Sequence, residues 1–159
     1  MIRFRLALRD LAGPADSADL VPQVFQRWEH DPKECSFGSS FIRPFDHRLL
    51  SAALLRCAEA TAVIVSECIG GKKSAQSARA CSAQELTAAI AGAHAHSLDC
   101  LTLLISHRDA SVTIRAGVWG TAPVYLLANG DELLGDWDPA QLLPHLPDRR
   151  PDPSWPSPF

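Results

Sequence analysis

The sequence lacks any apolar run that approaches the roughly 18 consecutive residues of a membrane-spanning helix. It also lacks an apolar signal core, because its opening residues, MIRFRLALR, alternate apolar and basic side chains. Positive charge is scarce: 15 Lys and Arg stand against 18 Asp and Glu, for a net charge of −3. A phosphate-binding surface normally needs clustered Lys and Arg. These absences predict a cytoplasmic protein that binds neither membrane nor nucleic acid.

No Cys-x-x-Cys pair occurs among the 5 cysteines. Because the number is odd and no export signal precedes them, we expect reduced thiols. Cys57 and Cys100 occur in apolar surroundings and are expected to be buried structural thiols. Cys35 and Cys68 are expected in or beside loops.

The segment Ile69–Ser74 follows a strand-like run, as a phosphate-binding loop would. Ser66 nevertheless stands where the first glycine of such a loop belongs, and Lys73 displaces its hydroxyl residue. His94 and His96 lie at a predicted helix end without a third ligand at a diagnostic spacing. We therefore expect a solvated basic loop, no metal site and no cofactor.

The sequence also has no Gly-x-Ser-x-Gly nucleophile elbow. A triad can be drawn from Cys35, Asp46 and His47, but proximity in sequence means little because triads are assembled in space. No catalytic residue is assigned on this basis.

A chain of 159 residues, 47% apolar and 21% charged, is sufficient for one domain with a full core. We predict a single α+β domain over residues 1–145 and a proline-rich tail over 146–159. The prolines of the tail remove backbone donors and hold it extended.

Local patterns predict most elements of this domain. Ile2, Phe4, Leu6 and Leu8 alternate with basic residues, as in a strand with one solvated face. The remaining assignments are a helix over 16–29, a strand at 62–65, a helix from Ser82 to about Ala95 opened by a Ser82/Glu85 capping box, and a strand at 98–106. Residues 49–60 fit either a helix or a strand pair.

Residues 115–143 predict a compact strand, turn, strand, turn, strand unit closed by a short helix. Asn129-Gly130-Asp131 is the strongest hairpin signal, since Asn and Gly accept positive φ. Asp138-Pro139 supplies an N-cap and a first helical residue.

This unit resembles the segment that closes the N-terminal glutaminase-type domain of asparagine synthetase-like enzymes, which are class II glutamine amidotransferases with an N-terminal nucleophile. The resemblance spans about residues 60–145 and implies stacked antiparallel β-sheets flanked by helices, reduced in size. The positions that match the family motif are Gly120, Thr121, Pro123, Val124, Tyr125 and Asp138.

The chain departs from that family wherever glutamine would be bound or cleaved. It begins Met1-Ile2, so the N-terminal cysteine nucleophile is not expected. The family's oxyanion segment would fall at residues 66–70, where only Glu67 and Ile69 are kept, and its Arg-Asp pair is replaced by residues 116–117, Ala-Gly. The resemblance therefore implies a degenerate, non-catalytic domain.

The expected function is that of an accessory or partner-binding protein for an ATP-dependent amide-forming, asparagine synthetase-like enzyme in a biosynthetic pathway. Its partner would be a separate synthetase subunit or a peptide substrate, and a homo-oligomer is possible. Trp155 and Phe159 are predicted anchors on the extended tail. Two alternatives stay open: a small hydrolase or transferase that uses an internal Cys or His, and an unrelated α+β binding module.

Overall fold

The computed structural model describes residues 2–11, 35–44, 49–67, 76–97, 99–117 and 123–146. Within these ranges the elements are β1 (Ile2–Ala7), α1 (Leu8–Leu11), β2 (Cys35–Phe37), β3 (Ser40–Pro44), β4 (Leu50–Arg56), β5 (Ala60–Glu67), β6 (Gln76–Ala80), α2 (Ala83–His96), β7 (Cys100–Ser106), β8 (Ser111–Ala116), β9 (Tyr125–Asn129), β10 (Glu132–Asp136) and the 3-10 turns Pro139–Gln141 and Leu143–His145.

The described strands form two five-stranded sheets. Sheet I has the strand order β2-β3-β1-β10-β9, and sheet II has the order β6-β4-β5-β7-β8. All pairings are antiparallel except that of β4 with β6, which is parallel. The expected α+β fold with stacked, mostly antiparallel sheets is therefore confirmed.

The main core lies between the two sheets. Sheet I contributes side chains of β1 and β3, and sheet II contributes alternate side chains of β4, β5 and β7. Phe4 is the largest of them and is 2% exposed. It faces Gly135 across the β1–β10 ladder, and its ring occupies the space that a Cβ at residue 135 would need.

Helix α2 covers part of the opposite face of sheet II. Its residues Leu86 and Ile90 pack on Leu55, Ala62 and Ile64. The predicted capping box is present: Ser82 Oγ accepts from Glu85 N at 3.2 Å, and Ser82 N donates to Glu85 Oε2 at 2.8 Å. The described residues thus form three layers, sheet I, sheet II and α2.

Several sequence predictions are confirmed and one alternative is decided. The opening strand, the 62–65 strand and the 98–106 strand appear as β1, β5 and β7. Residues 49–60 belong to the strand pair β4–β5, not to a helix. Gly130 has φ +56° in the β9–β10 hairpin, and Asp138 caps the turn that begins with Pro139.

The prediction of one compact unit over residues 115–143 is wrong in its first half. Strand β8 is an edge of sheet II, whereas β9 is an edge of sheet I. The chain therefore passes from one sheet to the other between residues 116 and 125, and only β9 and β10 form a hairpin. Local periodicity identified the strands but carries no information on which sheet each one joins.

The predicted helix over 16–29, the basic loop at 70–74 and the Asp46/His47 pair lie outside the described residues, as does all of the predicted tail over 146–159 except Leu146. Within the part that is described, no helix has both the length and the apolar character needed to cross a membrane.

Candidate functional site

Polar side chains gather on the α2 side of sheet II, near the C-terminal end of that helix. Ser51, Ser66 and Cys100 occupy neighbouring positions on β4, β5 and β7. The Oγ atoms of Ser51 and Ser66 are 3.0 Å apart. His94, in the last turn of α2, contacts this group from the helical layer. We call Ser51, Ser66, His94, Cys100 and Thr102 the polar cluster.

The imidazole of His94 joins two residues of β7. Its Nδ1 lies 3.4 Å from Cys100 Sγ, and its Nε2 lies 3.1 Å from Thr102 Oγ1. A thiol that donates to Nδ1 leaves the proton of a neutral ring on Nε2, which then donates to Thr102. Cys100 and Thr102 can approach one ring because residues two apart on a strand share a face.

The electrostatic surroundings keep this pair neutral. Burial, together with the positive charge of Arg115, lowers the pKa of His94. Burial also raises the pKa of Cys100, which is 0% exposed, and outweighs the hydrogen bond from Thr102 that favours the thiolate. Because the thiolate is the nucleophilic form, the cluster does not hold an activated cysteine.

Residues 66 and 116–117, compared above with a glutaminase-type site, lie at the same end of sheet II. Ser66 pairs with Cys100, and Ala116 pairs with Leu101 on the other side of β7. Gly117 donates its amide to the Cys100 carbonyl at 2.6 Å, and a Cβ at residue 117 would lie 2.9 Å from Cys100 N. The backbone of this chain therefore leaves no room for a side chain at residue 117.

The described motif residues do not converge on the polar cluster. Pro123 precedes β9 and is exposed, Tyr125 begins that edge strand and is 45% exposed, and Asp138 Oδ1 accepts from Ala140 N at 3.0 Å as an N-cap. Gly120, Thr121, Trp155 and Phe159 lie outside the described residues.

A second surface is defined by exposed apolar side chains in the last described segment. Tyr125, Leu126, Trp137 and Leu143 are 42–54% exposed. An open pocket of about 290 Å³ in the same segment is lined by Ala140, Leu143, Pro144 and Leu146, so Leu143 is both exposed and part of the pocket. We call the four exposed side chains and this pocket the C-terminal apolar surface.

Sequence reasoning identified Cys100 as buried and placed His94 at a helix end, and both predictions are confirmed. It missed Thr102 and Ser51, and it noted Gly117 only as part of the pair that replaces the family's Arg-Asp. Thr102 could have been found, because it is a lone polar residue in the apolar run of β7. A polar residue in a covered strand usually has a hydrogen-bond partner.

Within the ranges described, no three His, Cys, Asp or Glu side chains lie close enough together to hold a metal ion. No protein-family model, curated protein or solved structure matches this chain.

Proposed function

We propose that this protein is a non-catalytic, partner-binding domain that serves an ATP-dependent amide-forming enzyme of a biosynthetic pathway, in the cytoplasm. The resemblance to glutaminase-type domains of asparagine synthetase-like enzymes suggests the partner. The sandwich of two stacked sheets is compatible with such a domain.

The main support is the C-terminal apolar surface. Leu126 and Leu143 expose more than half of their area in a segment that also carries the exposed rings of Tyr125 and Trp137. Tyr125 and Leu126 are neighbours on β9 and project to opposite faces of the strand, whereas Leu143 is exposed and also lines the pocket. Exposed apolar side chains beside a pocket are typical of protein-interaction sites. The surface includes the edge strand β9, whose five residues carry no charge. Binding a partner would remove these side chains from water.

The polar cluster supports the non-catalytic part of the proposal. Serine and glycine stand at the described positions where the family would bind or polarise glutamine. Among the described residues, the thiol of Cys100 lies nearby; it is fully buried, and burial raises its pKa. A domain that has this fold but lacks the groups that would bind or polarise glutamine is better suited to binding a partner than to catalysis.

Partner binding is tested by co-purification of the full chain from its source cells, followed by calorimetry with the enriched protein. We expect an enzyme with ATP-dependent amide-forming activity, and at least tenfold weaker binding by Leu143→Ser, about 1.4 kcal/mol, because Leu143 is exposed and lines the pocket. Leu49→Ser is the matched control, because Leu49 is similarly exposed, at 52%, in the turn just before β4. Equal affinity of both variants would contradict the assignment of the surface.

Catalysis by the polar cluster is the second candidate, because His94 Nδ1 lies 3.4 Å from Cys100 Sγ. An assay for ammonia release from glutamine and for hydrolysis of simple amides and thioesters separates the two. We expect no turnover by the wild-type chain. Turnover that is abolished by Cys100→Ala and kept by Cys81→Ser would favour this second candidate.

A further inference from the structure

Two cysteines stand side by side where a pair of parallel strands ends. The β4–β6 ladder pairs Arg56 with Ala80, and Cys57 and Cys81 are the next residues on the two strands. Cys81 N donates to Arg56 O at 2.8 Å, so the strands are still adjacent at this point. Neighbouring strands lie about 4.8 Å apart. Disulfides join residues whose Cα atoms are about 4.4–6.8 Å apart.

Both side chains also point to the same layer. Cys57 belongs to the apolar cluster between sheet II and α2, and Cys81 packs against that cluster. Residues in register on parallel strands share a face, as this common cluster requires. Both thiols are free. Spacing and direction therefore match those of two cysteines that can be joined.

We propose that Cys57 and Cys81 form a reversible redox pair, whose disulfide joins the end of β4 to the residue before the N-cap of α2. Intracellular disulfides of this kind are usually transient. The reversibility of the pair rests on the cytoplasmic location in the proposed function, whereas the pairing itself does not, since neither cysteine belongs to the polar cluster or to the C-terminal apolar surface.

The oxidant in this reaction is a small disulfide such as oxidised glutathione. The Cys81 thiolate, which is the more accessible, attacks one sulfur of the reagent and releases one glutathione thiolate. The Cys57 thiolate then attacks Cys81 Sγ in the mixed disulfide and releases the second glutathione thiolate. The two glutathione molecules leave reduced and take up the two protons that the protein thiols lost. The protein loses two electrons.

Two properties of the site shape the reaction. Burial raises the pKa of Cys81, because its effect is larger than the opposing effect of the Arg79 charge. The thiolate is the form that attacks a disulfide, so exchange should accelerate as the pH rises above neutrality. The new bond would tie sheet II to the start of α2, next to Ser82 and its capping box. Oxidation would therefore stabilise the helical layer.

The test treats the full native chain with oxidised glutathione at pH 8 and maps its thiols by mass spectrometry without reduction. We expect a cross-linked peptide pair containing Cys57 and Cys81, the loss of two free thiols, and their recovery with dithiothreitol. The melting temperature of the oxidised chain should rise on the order of 5 °C, because closure of the loop restricts the unfolded state. Cys100→Ser is the matched control and should cross-link as the wild type does.

Cys81→Ser is the informative variant, because residue 81 is only half-buried and serine should be accepted there. This variant should lose the cross-link and the rise in melting temperature while it folds normally. Three results would overturn the proposal: oxidation that joins other cysteines, a mixed glutathione adduct at Cys81 that never resolves, and thiols that stay reduced in the folded protein.

Discussion

Sheet I and sheet II each have five strands, but they bury their side chains in different ways. The central strands of sheet II, β5 and β7, carry four consecutive buried residues each, because sheet I covers one face and α2 covers part of the other. Strand β1 of sheet I instead alternates: its inward residues are buried, and Arg3 and Arg5 on its other face form ion pairs with Asp136 and Glu132. A covered sheet and a sheet with a charged face thus meet at one core.

The largest expected effect tests the interface between the two sheets. Phe4→Ala should lower the free energy of unfolding by about 3 to 5 kcal/mol, because the ring is buried and fills the space over Gly135. Phe41→Ala is the control, since Phe41 lies on the other face of sheet I and is only half-buried. Urea denaturation of both variants measures the difference. Similar losses would mean that the core has been assigned to the wrong face.

The next effect tests whether sheet II depends on its helical layer. Leu86→Ala should cost about 2 to 4 kcal/mol, because Leu86 is 5% exposed and packs on the outer face of sheet II. Thr87→Ala, one residue further along α2, should change stability by less than about 0.5 kcal/mol because Thr87 is exposed. If the two variants melt alike, α2 is not the cover that the structure assigns to it.

The two sheets should also lose stability in different pH windows. Burial lowers the pKa of His94 and of His107, whose Nε2 lies 2.9 Å from Thr61 Oγ1, and both belong to the surroundings of sheet II. A histidine whose pKa is lower in the folded state stabilises the fold fully at a pH above its pKa in the unfolded chain, about 6.5. This contribution is lost as the pH falls through the lower pKa of the folded state. Unfolding measured from pH 8 to 5 should therefore show a decline that His107→Gln makes shallower.

Asp10, which supports sheet I, should respond at lower pH. Burial opposes its ionisation, but hydrogen bonds from Ser40 and Ser39 outweigh this and lower its pKa. The carboxylate stabilises above its unfolded value, about 3.9, and the contribution is lost as the pH falls through the lower folded value. Asp10→Asn should flatten the stability curve only below about pH 4. A flattening near pH 6 would contradict the division between the sheets.

The smallest effect concerns the charged face of sheet I. Arg5 Nη2 lies 2.5 Å from Glu132 Oε1, but the two side chains remain 42% and 25% exposed. A double-mutant cycle with Arg5→Ala and Glu132→Ala should give a coupling energy of about 0.2 to 1 kcal/mol that declines with added salt. A coupling energy well above this range would show that water screens the Arg5–Glu132 pair less than the exposure of its side chains indicates.

The sequence alone predicts those elements that are determined by neighbouring residues. The alternation in β1, the Ser82/Glu85 box before α2 and the Gly130 turn each depend on neighbouring residues, and all three were predicted. The assignment of residues 49–60 stayed open because Leu50, Leu54 and Leu55 satisfy both a helical and a strand spacing. Pairing with β5 decides it.

What the sequence did not predict depends on pairing at a distance. No local pattern near β8 or β9 indicates that they join different sheets, and none near β6 indicates that it pairs in parallel. The polar cluster has the same origin: His94 meets Cys100 and Thr102 only because α2 lies across β7. The register that places Cys57 opposite Cys81 is likewise invisible until β4 and β6 are paired.

The position of β1 between β3 and β10 has a consequence for the order of assembly. Phe4 pairs with Gly135, so the centre of sheet I joins strands from opposite ends of the described chain. Sheet II instead draws all its strands from residues 50–116. Long chain closures slow folding, and domains emerge from the ribosome from the N-terminus onward. On the ribosome β1 must therefore wait, with one edge open, until residue 136 has emerged, while sheet II can already be complete.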